Sequence, residues 1–426
     1  MLTSYLLIGA LATVGASEKV VFFGDSITEA GRFVTHVQLF SALRHPGEGI
    51  ECYNIGKGGD SAAGGLTRWA WDAAPIKPDC VVVMFGMNDS ERDTLPTSAP
   101  TNAADAVRRE GIVSKYRANM AALLDLIAKD CPRITVMTPT PYDQYGTQTC
   151  KAFMGGNEPM LTEFARIVRV LAAERGLTLV DLHRPMTQLL KDHPDARIVG
   201  GDRIHPSDLG QFLMACHYLK ATGENPLVGE TRIDAAGRES VVFKYAPSAL
   251  PLPVTDVYLR AEKFWPVTDC LNREMLVVEN LPRGTYALRV DGRELGRFTE
   301  VQLRAGVNLA LLDTPNRRVA DRAEKTRARL CEIESGFRSI NYLVKWMKDL
   351  NISFDNREAC QAFFNERREQ AKKLAWGGWH RRCVDKLEAM IPKWEALKAE
   401  EQDLRAALRA IRPQKAAFSL EPVTSE

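Results

Sequence analysis

A serine, a histidine and an aspartate stand where they could carry acyl transfer. The stretch VVFFGDSITEAGR (20–32) runs a short apolar segment straight into Gly24-Asp25-Ser26, where the chain must turn. A serine hydroxyl is a weak nucleophile and needs a base within hydrogen-bond reach. The stretch DRIHPSDLGQFLMA (202–215) offers His205, with Asp202 three residues earlier to hold one imidazole nitrogen while the other faces the serine. An ester carbonyl under attack also needs N–H donors for its oxyanion. Three candidates are the Ser26 amide, the Gly59 amide in NIGKGGDSAAGG (54–65) and the Asn88 side chain in FGMND (85–89). Glycine at 59 lets backbone approach a substrate with no Cβ in the way.

Taken singly, each block has an ordinary reading. Gly-Asp-Ser is a common turn, Asn88-Asp89 caps a helix, and Asp202 or Ser207 caps the helix after Pro206. Glycines 56, 58 and 59 suit a βα loop, and no Gly-Lys-Ser/Thr follows them to make a Walker-type phosphate loop. What separates the blocks from chance turns is what precedes them. Strand-like apolar runs cover 20–23, 50–54, 80–85, 134–138 and 177–181, and helical patterns cover 33–43, 66–73, 107–128, 159–175 and 206–219. That alternation predicts βαβ units and a parallel sheet covered on both faces. Ligands of such sheets bind at the carboxyl ends of the strands. All four blocks follow strand-like runs and so converge on one edge.

With Ser26 in GDSIT, Gly59 in NIGKGGDS, Asn88 in GMND and Asp202 with His205 in DRIHP, the first half of the chain resembles the SGNH hydrolase family, the GDSL-type esterases and lipases. The catalytic half looks most like its bacterial carbohydrate-esterase branch. The resemblance implies an α/β class, flavodoxin-like three-layer α/β/α fold with strand order 2-1-3-4-5. It implies Ser26 as nucleophile, His205 as base and then acid, Asp202 as orienter, Ser26, Gly59 and Asn88 as oxyanion donors, and no cofactor or metal. Lys57-Gly58 departs from the family pattern and adds charge beside the pocket, which disfavours an acyl-chain substrate.

The polar loops after Asn88-Asp89 and after the fourth strand carry Tyr142, Tyr145 and Phe153, residues that suit sugar faces or else pack inward. The expected function is hydrolysis of short-chain, acetyl, esters on a carbohydrate. A lipase or lysophospholipase activity and an O-acyltransferase use the same residues. A glycan-binding protein on a dead esterase fold is the alternative of another class, and it predicts a missing block where none is missing.

A net charge of +2 over 426 residues gives no basis for nucleic-acid binding. The nine cysteines form no CxxC pair and read as small buried hydrophobes, without a dense disulfide framework. Residues 1–16 are apolar and uncharged and end in Val14-Gly15-Ala16, which predicts a signal peptide and a secreted or periplasmic protein with no lipid anchor. The alternative is an N-terminal extension packed on the core. The expected division is a catalytic domain over 17–225, a small antiparallel β domain over 226–315, a helical region over 316–412 and a flexible tail over 413–426. Trp265 is a candidate stacking residue in the β domain, set against a purely structural role. The tryptophans of the helical region are expected to be buried, and His380 to lie at the surface.

Overall fold

The computed structural model describes residues 18–48, 50–147, 151–374 and 376–423. The predicted signal peptide lies outside them. Five parallel strands, β1 (Lys19–Gly24), β2 (Glu51–Gly56), β3 (Cys80–Met84), β4 (Ile134–Met137) and β5 (Thr178–Val180), form one sheet in the order β2-β1-β3-β4-β5. The helices are α1 (Ser26–Glu29), α2 (Arg32–Arg44), α3 (Ala62–Arg68), α4 (Ala103–Ile127), α5 (Asn157–Arg175), α6 (His183–Asp192) and α7 (Asp208–Ala221). Alternation along β1 shows why both faces are covered. Phe22 meets Phe33 of α2 and Tyr218 of α7, each at 5.4 Å, while Phe23 points the other way onto Trp69, just beyond α3, at 5.5 Å. Consecutive strand residues face opposite sides, so β1 must be buried twice over, and five of its six residues are.

The three-layer architecture and strand order are those the sequence leads one to expect. Two helices, α1 and α6, are additional. The first has four residues, too few to show a period, and exists because the Asp25 side chain accepts the Ile27 N–H at 2.9 Å. The helix expected over 66–73 begins earlier, at Ala62, because Ser61 caps it through the Gly64 N–H.

Beyond α7 the chain builds a two-sheet unit. Strands β6 (Leu227–Asp234), β7 (Val241–Tyr245), β8 (Arg273–Glu279), β9 (Thr285–Val290), β10 (Arg293–Thr299), β11 (Val307–Asn308) and β12 (Ala416–Pro422) form sheets ordered β10-β9-β12-β7 and β11-β8-β6. The β9–β10 hairpin turns on Asp291-Gly292, both at positive φ (48° and 80°), the backbone an Asp-Gly hairpin turn requires. Two expectations fail here. The unit is not wholly antiparallel, since β6 pairs β8 in parallel. The expected flexible tail contains β12, which fills the gap between β9 and β7. Only Phe418 and Leu420 mark it as a strand in the sequence, and both point into the core of this unit at 1% and 0% exposure.

Short helices α8 (Asp256–Glu262) and α9 (Val267–Leu271) extend the core of the parallel-sheet domain, and α10 (Glu300–Ala305) leads into β11. Trp265, between α8 and α9, is 7% exposed and packs on His217, so it offers no surface for stacking. The remaining helices are α11 (Pro315–Asp349), α12 (Arg357–Ala371), α13 (Gly377–Met390) and α14 (Trp394–Arg409). Residues of α12 and α13 share a separate apolar cluster with the end of α11, around Leu343, Phe363 and Val384. The expectation for His380 is reversed: it is 1% exposed, and burial lowers its pKa. The tryptophans are not all buried, for Trp346 and Trp376 are 39% and 50% exposed. None of the helices among the described residues is long and apolar enough to cross a membrane.

Truncating Phe418 tests the role of the last strand. Phe418→Ala removes a ring wedged between Phe243 and Tyr245, and the expected cost is about 3–5 kcal/mol. The measurement is chemical denaturation of the full chain, and an unchanged midpoint would mean that β12 does not contribute.

Candidate active site

Ser26 stands at the carboxyl end of β1 as the first residue of α1. The turn admits only glycine at 24, where a Cβ would sit 2.3 Å from Thr28 Oγ1 and 2.6 Å from the Met84 carbonyl oxygen. Ser26 Oγ lies 2.8 Å from His205 Nε2, across 179 residues of sequence. His205 Nδ1 lies 2.5 Å from Asp202 Oδ2. The other carboxylate oxygen of Asp202 accepts the N–H groups of Ile204 and His205, both at 3.0 Å. Burial alone would raise the Asp202 pKa, but these N–H donors and the imidazole outweigh it and hold the carboxyl well below its ordinary range. An ionised Asp202 therefore accepts from Nδ1–H, which leaves Nε2 to accept the Ser26 hydroxyl proton. The 202–205 turn is tight: Arg203 has φ +66°, and Gly200 N–H donates to the His205 carbonyl at 2.8 Å.

Gly59 has φ +71°, and a Cβ there would meet nothing within 4 Å, so this backbone borders open space. Among the described residues the N–H groups of Ser26 and Gly59 meet no acceptor. Asn88 donates one amide hydrogen to the Asp60 carbonyl at 2.7 Å, and its Oδ1 accepts from Arg92, so the amide is pinned with a second hydrogen left to donate. Two further groups tie these loops to the serine turn. Glu29, on α1, accepts the Gly58 N–H at 2.5 Å. Arg68, 2% exposed, donates to the carbonyls of Gly24 (2.8 Å) and Ile55 (2.9 Å) and to the carboxylates of Asp60 (2.6 Å) and Asp72 (2.8 Å).

The five residues singled out in the sequence thus fall into two groups. Ser26, His205 and Asp202 form one hydrogen-bonded line, while Gly59 and Asn88 flank Asp60 and connect to the Ser26 turn through Glu29 and Arg68. Sequence reasoning missed Glu29, Arg68 and Asp89. Asp89 read only as part of a cap or turn, and the contacts that tie the three to distant loops span 27 to 44 residues: Asp89 to Ala62, Glu29 to Gly58 and Arg68 to Gly24. Burial pushes Asp25 up to about 6 and Asp89 up to about 7; the Asp60 carboxylate adds to both shifts, and Asp25 adds to that of Asp89. Asp89 accepts the Ala62 N–H with both oxygens, at 3.0 and 3.3 Å. No group of three His, Cys, Asp or Glu side chains among the described residues is arranged to hold a metal ion.

The three loop aromatics differ. Tyr142 is 3% exposed and packs inward, Tyr145 is partly buried against the same core, and Phe153 is 50% exposed, with the Arg203 guanidinium 5.6 Å from its ring.

Comparison with known proteins adds four findings. Residues 22–212 match the model of the GDSL-like lipase/acylhydrolase family. An acetylxylan esterase of Geobacillus stearothermophilus is 28% identical over 232 residues, covering 49% of this chain and 96% of that protein. A solved structure of acetylxylan esterase from the same organism is 27% identical and covers 50% of this chain and 97% of that one, with a TM-score of 0.40. The solved structure of a gut microbial diltiazem-metabolizing enzyme, 24% identical, superimposes with a TM-score of 0.82 over 97% of this chain and 100% of that one. That likeness shows a shared fold extending through the β unit and the terminal helices.

The buried acids give the site a pH signature. A carboxyl raised to about 7 keeps its proton in the folded state while the unfolded chain has lost it, so stability falls as pH rises from about 4 to 7. Asp25 acts in the same sense, and Asp202, held low, in the opposite one, its contribution fading as pH falls below the ordinary carboxylate range. Asp89→Asn is expected to lose less thermal stability than the wild type between about pH 5 and 7.5. Equal slopes would show that Asp89 ionises normally in the fold.

Proposed function

We propose a serine esterase that removes acetyl groups from an acetylated carbohydrate, a reading supported by the match of residues 22–212 to the GDSL-like lipase/acylhydrolase family model. The observation that carries the mechanism is the unbroken line Ser26 Oγ–His205 Nε2, His205 Nδ1–Asp202 Oδ2 at the carboxyl edge of the sheet. Ser26 Oγ attacks the ester carbonyl as its proton passes to His205 Nε2. The N–H groups of Ser26 and Gly59 and the free amide hydrogen of Asn88 receive the oxyanion, each donor typically worth ~10²–10³ in rate. The imidazolium, oriented by the ionised Asp202, gives the proton to the leaving alcohol oxygen. Water then repeats the sequence on the acyl-enzyme and releases acetate and Ser26.

The choice of acyl group has two supports. The acetylxylan esterase relative matches this part of the chain over nearly its whole length. The loop bordering the site carries Lys57, whose side chain is 34% exposed, where an acyl-chain tunnel would need apolar residues.

The test is release of acetate from acetylated xylan, run beside a series of simple esters of increasing acyl length. Acetate release with a preference for acetyl esters is expected, and Ser26→Ala should lower kcat/KM by at least ~10³-fold. A preference for long acyl chains would overturn the substrate reading, and a fully active Ser26→Ala protein would overturn the mechanism.

A further inference from the structure

The terminal helices reach the active-site loops, and they do so with aromatic rings. A Cβ placed on Gly58 would sit 3.0 Å from Trp379 Cζ2 and 3.3 Å from Glu29 Oε2. The α13 tryptophan therefore abuts the loop whose next residue, Gly59, faces open space. We propose that Trp376 and Trp379 wall a sugar subsite beside the Ser26 cleft, where a pyranose ring of the ester's alcohol portion stacks. The inference rests on the esterase reading and extends it to the part of the substrate that stays outside the catalytic line.

Three features support the assignment. First, Trp379 is held in place before any ligand arrives. Tyr342 stacks on it at 5.6 Å and 14° between planes, and the Tyr342 hydroxyl bonds His380 Nδ1 at 3.0 Å. The start of α13 is equally fixed, since a Cβ on Gly377 would fall 1.8 Å from the Ala371 carbonyl oxygen. A ring oriented in advance binds without the cost of ordering it.

Second, Trp376 stands 5.7 Å from Trp379 at 63° between planes and is 50% exposed. The two indoles make a corner open to solvent. The other half-exposed aromatics have cationic partners: Arg367 lies 5.0 Å from the Trp346 ring and Arg203 5.6 Å from that of Phe153. A rigid apolar corner beside a polar cleft suits a ring with one carbon-bound face and hydroxyl edges. Lys57, one residue before Gly58, is 34% exposed along its side chain, with its ammonium 3.8 Å from Asp60 Oδ1.

Third, an acetyl ester leaves nothing but its alcohol portion to occupy the rim. The carbonyl carbon must sit at Ser26 Oγ with its oxygen on the N–H donors, and the acyl group adds only a methyl. A half-exposed indole therefore meets the alcohol side.

The test uses Trp376→Ala and Trp376→Phe in the full chain, with acetylated xylo-oligosaccharide, phenyl acetate and ethyl acetate as substrates. The ratio of kcat/KM for acetylated xylo-oligosaccharide to that for ethyl acetate is expected to drop at least ~10-fold in Trp376→Ala, through KM, and to be largely restored in Trp376→Phe. A ratio within ~2-fold of wild type, or a loss confined to phenyl acetate, would overturn the sugar subsite. Calorimetric titration of xylo-oligosaccharide into Ser26→Ala protein, with and without Trp376→Ala, separates this inference from the catalytic one. Trp376-dependent binding without any hydrolysis would remove the esterase reading and keep the subsite. Hydrolysis with Trp376-independent binding would do the reverse.

Discussion

The guanidinium of Arg68 is the constraint on which the catalytic edge is built. It is 2% exposed, so its N–H groups must find acceptors inside the protein. The acceptors it finds are the carbonyls ending β1 and β2, the Asp60 carboxylate of the Gly59 loop, and Asp72. One buried charge thus fixes the Ser26 turn relative to the Gly59 loop, and Asp60 passes the constraint on to Asn88 through its carbonyl. Even the face of the guanidinium is used, lying 4.1 Å from the Phe23 ring centroid. Three loops separated in sequence acquire a common geometry because one cation would otherwise be buried unpaired.

The same constraint recruits the second half of the chain. Asp72, paired with Arg68, is also gripped by Arg338 of α11 at 2.8 Å, and Asn341 adds a third donor. Arg338 donates as well to the Gly56 carbonyl at 2.9 and 3.1 Å. Burial would raise the Asp72 pKa, yet Arg338 and Arg68 together keep it lowered. Asp72 thereby couples the arginine that ends α3 to a helix more than 260 residues further along. The acids lacking such partners behave differently: Asp25 and Asp89 rely on backbone N–H groups, and burial raises both.

What the sequence revealed follows from the range of the forces involved. Strands β1 and β3 announce themselves because burial on both faces leaves no polar position, as in VVFF and CVVVM. Ser26, His205 and Asp202 were legible because acyl-transfer chemistry would demand those side chains after those strands, and the structure joins them in one hydrogen-bonded line. Glu29, Arg68 and Arg338 were not, since an arginine reads as a solvated charge until its partners are known. Strand β12 escaped notice for a related reason. Two apolar residues near the chain end carry no periodic signal, and their partners in β7 and β9 lie more than 120 residues away. His380 misled for the converse reason, being flanked by Trp379 and Arg381 yet turned inward onto Tyr342.

That late strand decides how the terminal helices can behave. The chain leaves the β unit after β11, runs through α11 to α14, and returns to the same unit as β12, between β9 and β7. The helical excursion is therefore pinned at both ends by one core. Along its length it is pinned again: Arg327 of α11 donates to Thr35 Oγ1 at 3.0 Å, Arg338 grips Gly56, and Arg405 of α14 donates to the Cys52 carbonyl at 3.1 Å. These contacts anchor α11 and α14, the helices that flank α12 and α13 in the chain, at several separated points on the parallel-sheet domain. Rigid placement has a consequence for selectivity. On the proposed reading, a wall fixed in this way discriminates by shape, because an alcohol group that does not fit between it and the Ser26 cleft must displace charge-paired helices to enter. The hydrogen-bonded line of Ser26, His205 and Asp202 is thereby set beside a wall that belongs to the second half of this chain.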